Sequence, residues 1–140
     1  MNKIFAVAAA SLATFLAIAA NAPAASAENN EFLYSGSGNV LRATLYEHGN
    51  MGGHAIYYFG SGNCTTTTTD NDFSKSSMPG SLWNSWNNQV SSYRDYANCD
   101  VKFYDGTNFT AANTGWLNGG SAGRNLSSVW NDRASSFRVS

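Results

Sequence analysis

Two hexapeptides concentrate oxygen-bearing side chains at matched spacing: Asn87-Asn88-Gln89-Val90-Ser91-Ser92 and Asn131-Asp132-Arg133-Ala134-Ser135-Ser136. Amide, carboxylate and hydroxyl oxygens are the donors that a hard cation such as calcium collects, about six to eight at a time. The same residue types also close turns by bonding their own backbone, with no ion involved. One such hexapeptide is better read as a turn, but two at equivalent places in a repeat favour a pair of cation sites. Other reactive residues are few. Gly119-Gly120-Ser121-Ala122-Gly123 matches a nucleophile pattern, yet that pattern needs a strand-to-helix turn and a histidine further along, and no histidine follows Ser121. It reads as a flexible Gly-rich turn, and no catalysis is expected. Cys64 and Cys99 are the only cysteines; in an oxidising compartment an even count pairs, with two separate buried thiols as the alternative. His48 and His54 have no recognised zinc spacing to them.

The elements that must position these residues are short strands. Lys3, the apolar run from Ile4 to Ala20 and the small-residue stretch ending Ala25-Ser26-Ala27 read as an export signal over residues 1–27. Its removal takes one lysine and leaves seven basic against nine acidic residues, about −2. That balance argues against nucleic acid as a partner. No membrane span is expected after cleavage, and a secreted bacterial monomer is the expectation. Beyond Ala27 no stretch holds a helical apolar period. Runs such as Val40 to Tyr46, Ala55 to Phe59, Val101 to Tyr104 and Phe137 to Val139, separated by Gly, Asn, Ser and Asp, predict an all-β sandwich or barrel.

The chain repeats itself. Leu82, Trp86, Asn87, Ser91, Ser92 and Arg94 fall on Leu126, Trp130, Asn131, Ser135, Ser136 and Arg138 at one constant offset. Upstream, Leu45-Tyr46-Glu47 and Asn50-Met51 align with Phe103-Tyr104-Asp105 and Asn108-Phe109 at a larger one. The first copy therefore carries extra residues over 61–80, read as a polar surface loop tied down by the cysteines. Residues 28–39 read as a flexible N-terminal lead, 40–96 as motif one and 99–140 as motif two.

The two copies resemble the βγ-crystallins, whose Greek-key motif opens on an aromatic, an aromatic five later and a glycine two after that, and ends in N/D-N/D-x-x-S/T-S. Tyr46, Met51 and Gly53 precede the first hexapeptide; Tyr104, Phe109 and Ala111 precede the second. Met51 departs by replacing an aromatic. Ala111 departs by replacing a glycine at a backbone conformation costly for any Cβ, so the second hairpin either folds differently or carries strain. The resemblance implies a sandwich of two four-stranded Greek-key motifs and two calcium ions. It groups Asn87, Asn88, Gln89 and Ser91 with Asp105 at one site, and Asn131, Asp132, Arg133 and Ser135 with Glu47 at the other. Asp132 gives the second site the only carboxylate within either turn, so it should bind more tightly.

Trp86, Trp130, Tyr93 and Phe137 read as core anchors. Trp83 and Trp116 have no repeat partner and are freer to make surface contacts, such as with sugar rings. Two other functions fit an exported domain that resembles this family: a metalloproteinase inhibitor presenting the loop near Cys64, and an antimicrobial protein binding chitin or cell-wall polysaccharide.

Overall fold

Aromatic and β-branched runs bounded by Gly, Asn and Ser build eight strands in a computed structural model that describes residues 31–80 and 85–140. The expected export signal, the start of the lead, Leu82 and Trp83 lie outside the described residues. The strands are β1 (Phe32–Gly36), β2 (Val40–His48), β3 (Gly52–Gly60), β4 (Phe73–Lys75), β5 (Ser92–Asp95), β6 (Val101–Tyr104), β7 (Arg124–Asn125) and β8 (Ser136–Val139). One sheet has the order β1-β3-β2-β5-β7 and the other β4-β8-β6. Residues 113–117 extend the second sheet beyond β6 through bridges from Leu117 to Val101 and from Asn113 to Tyr104. The architecture is all-β, with two Greek-key motifs in a sandwich. Each motif lends a strand to the other's sheet: β4 pairs with β8, and β7 with β5. Among the described residues no helix is long and apolar enough to cross a membrane.

The core lies between the sheets, and aromatic rings join its two sides. Tyr58 meets Phe137 edge to face at 4.7 Å, and Tyr93 meets Phe103 at 5.9 Å, so each pair joins one motif to the other. Leu45, Ile56, Trp86, Val90, Val101 and Val139 are fully buried around them. Trp130 only packs against the edge of this cluster.

Two segments differ from the sequence reading. The lead is not loose, because Phe32 to Gly36 pair parallel with Ala55 to Phe59 as the edge strand. Leu33 packs against the core while Tyr34 stacks on Tyr57 at 5.3 Å, so alternate side chains find partners on two faces. The 61–80 insertion is a surface loop only in its first half. Its second half supplies β4 and the buried Met78. Cys64 and Cys99 form a disulfide. Arg42 clamps the loop by donating to the carbonyls of Gly62 at 2.8 Å and Asp72 at 2.9 Å.

Candidate metal centre

Each hexapeptide closes a tight turn with one residue in the left-handed region, Asn88 at φ 59° and Asp132 at φ 55°. Asn and Asp tolerate that conformation better than other residues with a Cβ. The two turns lie antiparallel and bond to each other. Asn88 N donates to Ala134 O at 3.0 Å, and Asp132 N to Val90 O at 3.1 Å. This facing arrangement sends the second residue of one turn to the fifth residue of the other.

Ser91 Oγ accordingly donates to Asp132 Oδ1 at 2.9 Å, and Ser135 Oγ to Asn88 Oδ1 at 3.2 Å. The sequence grouping placed Ser91 with Asn88 and Ser135 with Asp132, so the structure exchanges the two serines. A linear repeat records which residues recur but not which copy faces which. The backbone completes the exchange. Ser91 N donates to Tyr46 O at 2.9 Å, beside Glu47, and Ser135 N to Tyr104 O at 2.8 Å, beside Asp105. One cluster therefore holds Asp132, Ser91 and the Glu47 segment, and the other Asn88, Ser135 and the Asp105 segment.

The second serine of each pair does different work. Ser92 and Ser136 are fully buried. Ser92 Oγ donates to His48 O at 2.6 Å and accepts from Met51 N at 3.0 Å; Ser136 Oγ donates to Gly106 O at 2.6 Å and accepts from Phe109 N at 3.1 Å. They pin their own motif's folded hairpin. Their recurrence was visible in the sequence, but the role was not. Both hairpins have the same shape: Asn50, Met51 and Gly53 at φ 56°, 60° and 74° match Asn108, Phe109 and Ala111 at 53°, 60° and 63°. Of the two expectations for Ala111, the structure shows a preserved fold with an alanine held in the left-handed region.

The charged groups are unevenly placed. Asp105 is ion-paired with Arg133 at 2.8 Å, which holds its carboxyl below the usual carboxylate range. Glu47 Oε2 accepts from His54 N at 3.3 Å and lies 3.7 Å from His54 Nε2. Its carboxylate is thus turned to the histidines, leaving its backbone for any ion. Asn131 donates to Asp132 Oδ2 at 2.7 Å. Asn87 is exposed and Gln89 half-buried. No three His, Cys, Asp or Glu side chains converge among the described residues, so any cation site here draws mainly on amide, hydroxyl and backbone oxygens. Calcium accepts such a set, and oxygens about 2.4 Å from one ion stand roughly 3 Å from each other, as the serine pairs do. The donors fit.

The segment 119–123 is a turn between the Leu117 bridge and β7, with no helix after it. Asp95, almost fully buried, accepts from Gly119 N at 2.6 Å and from Gly120 N. This turn is pinned rather than flexible, and a Cβ at Gly119 would meet the Tyr93 ring at 2.7 Å.

No protein-family model and no curated protein matches the chain. Among solved structures it is similar to a βγ-crystallin domain from Flavobacterium johnsoniae, at 24% identity over 70% of this chain and 92% of that one, with a TM-score of 0.42. It is similar to an archaeal βγ-crystallin at 21% identity over 71% and 98%, with a TM-score of 0.45. A third is the N-terminal domain of protein S, at 14% identity over 71% and 94%, with a TM-score of 0.44. With its strand-exchanging motifs, matched hairpins and facing turns, the described chain is an all-β sandwich of two Greek-key motifs, the fold that the resemblance to βγ-crystallins implies.

Proposed function

We propose that this is an exported, non-enzymatic domain that binds two calcium ions and is stabilised by them. The observation that carries the reading is the crossed pairing of Ser91 with Asp132 and Ser135 with Asn88. In each cluster a hydroxyl from one motif and an amide or carboxylate oxygen from the other already stand at the spacing of neighbours around one ion. Asp132, Asn131 and Ser91 with the carbonyls of Arg133 and Glu47 would hold one ion. Asn88, Asn87 and Ser135 with the carbonyls of Gln89 and Asp105 would hold the other. Calcium would supply a central charge that replaces the serine hydrogen bonds and ties the motifs together. An ion that binds only the folded state stabilises it by about 2.7 kcal/mol per site at a hundred times Kd. A thermal melt should therefore rise in millimolar calcium and fall back with chelator. An unchanged melt at millimolar calcium would end the proposal.

A second reading, inhibition of an extracellular metalloproteinase, is favoured by the loop after Cys64. Thr65 to Asn71 is exposed, yet the loop is internally bonded. Thr65 and Thr67 donate to Asp70 at 2.8 to 3.0 Å, Thr65 N donates to Asp72 at 2.9 Å, and Ser140 reaches Thr67 O at 2.7 Å. An exposed segment fixed in one shape loses little entropy on entering a protease cleft. Inhibition of a thermolysin-like enzyme that disappears in Asp70→Ala supports this reading, and no inhibition at micromolar protein removes it.

A further inference from the structure

The repeat is filled on one side and open on the other. Trp86 is fully buried, and its backbone N donates to Pro79 O at 3.0 Å, at the end of the 61–80 insertion. Motif two has no such insertion. The repeat partner Trp130 is only half-buried, and with Trp116 it lines a cavity of about 550 Å³ that opens to solvent.

The walls of this cavity have a definite chemistry. Lys102 sits 5.7 Å from the Trp116 ring and Arg133 5.2 Å from the Trp130 ring, so each indole is steadied by a cation. Asn118 and Asn125 are fixed by Asp100 and Asn50, at 2.8 Å and 3.0 Å. Asn118 keeps its amide oxygen to offer, whereas Asn125, whose Oδ1 already accepts from Asn50 N at 2.6 Å, has only its second amide hydrogen left. Arg124, exposed on β7 at the rim, is in no ion pair among the described residues, and no carboxylate lines the cavity. Polar amides disfavour a lipid tail, and the single uncommitted charge disfavours a cation.

We propose that this cavity binds an acidic sugar, one pyranose ring of an anionic polysaccharide. A pyranose presents an apolar C–H face suited to the electron-rich face of an indole and a rim of hydroxyls suited to fixed amides. A ring carboxylate would meet the planar guanidinium of Arg124 in a two-pronged contact. The inference stands apart from the calcium reading, because none of the turn oxygens lines the cavity.

Calorimetric titration of the secreted chain with trigalacturonic acid, with its methyl ester and with neutral chitotriose, in chelator so that the uronate carries no metal, tests it. The acid should bind saturably at one site, with the ester and chitotriose at least about tenfold weaker. Arg124→Gln, a surface change, should lose about the same factor for the acid and nothing for the ester, with an unchanged circular dichroism spectrum. Trp116→Ala should weaken both. Equal binding of acid and ester, preference for chitotriose, an Arg124→Gln variant that binds the acid like the parent, or no saturable heat with the acid would each overturn the assignment.

Discussion

Ala111 holds φ 63° where its repeat partner is Gly53 at 74°. A Cβ in the left-handed region costs about 1 to 2 kcal/mol, against about 0.5 to 1 kcal/mol of extra chain entropy lost by glycine. Ala111→Gly should therefore stabilise the protein, by up to about 1 kcal/mol in urea unfolding. The reverse change is worse than neutral: a Cβ at Gly53 would meet His48 at 2.8 Å and Glu47 at 2.9 Å, so Gly53→Ala should destabilise by more than Ala111→Gly gains. At the same scale the two proposed calcium clusters are unequal, since one has the Asp132 carboxylate while the other is neutral and lies beside the Arg133 guanidinium. Asp132→Ala should reduce the calcium-induced rise in melting temperature more than Asn88→Ala, and calorimetry showing the opposite order would refute the ranking. The oxygens proposed for these clusters were readable from the repeat. The exchange of serines was not, because it depends on two distant turns meeting face to face.

At the level of elements, the hairpins and final strands could be placed from the aromatic spacing and the duplicated turns, since both are local signals with fixed offsets. The edge strand β1 escaped because its alternation, Phe32-Leu33-Tyr34, runs into Ser35-Gly36-Ser37-Gly38 and its partner β3 is about twenty residues away. Strand β4 was hidden in a polar insertion for the same reason, its pairing with β8 being supplied by the far end of the chain. The loop preceding β4 depends on the Cys64–Cys99 bond, which closes 35 residues. In the chain-entropy view such a closure contributes about 3 to 4 kcal/mol. Replacing both cysteines by serine should lower unfolding free energy by about that amount, measured in oxidising buffer beside the parent.

For the whole molecule, pH dependence has a buried origin. Burial pushes the Asp95 carboxyl above its ordinary 3.8, against the opposing pull of the Gly119 and Gly120 N–H groups. The folded chain thus keeps a proton that the unfolded chain has released. The stability Asp95 contributes is complete below the ordinary value and is lost as pH rises through the elevated one. Asp70 and Asp105, held low by hydroxyls and by Arg133, act in the other direction: their contribution is lost as pH falls. The difference in melting temperature between the parent and Asp95→Asn should therefore shift against the parent as pH rises just above 3.8. A difference that stays constant through that range would show that Asp95 titrates normally.

Cys64 belongs to the first half of the molecule and Cys99 opens the second, while the peptide link between the halves runs through Ala97 and Asn98, both at positive φ. A hydrolase that nicked the chain at exposed Asn98 would sever the polypeptide but release no fragment, since sulfur and two swapped ribbons still fasten the pieces. The domain can thus be cut once and remain one object.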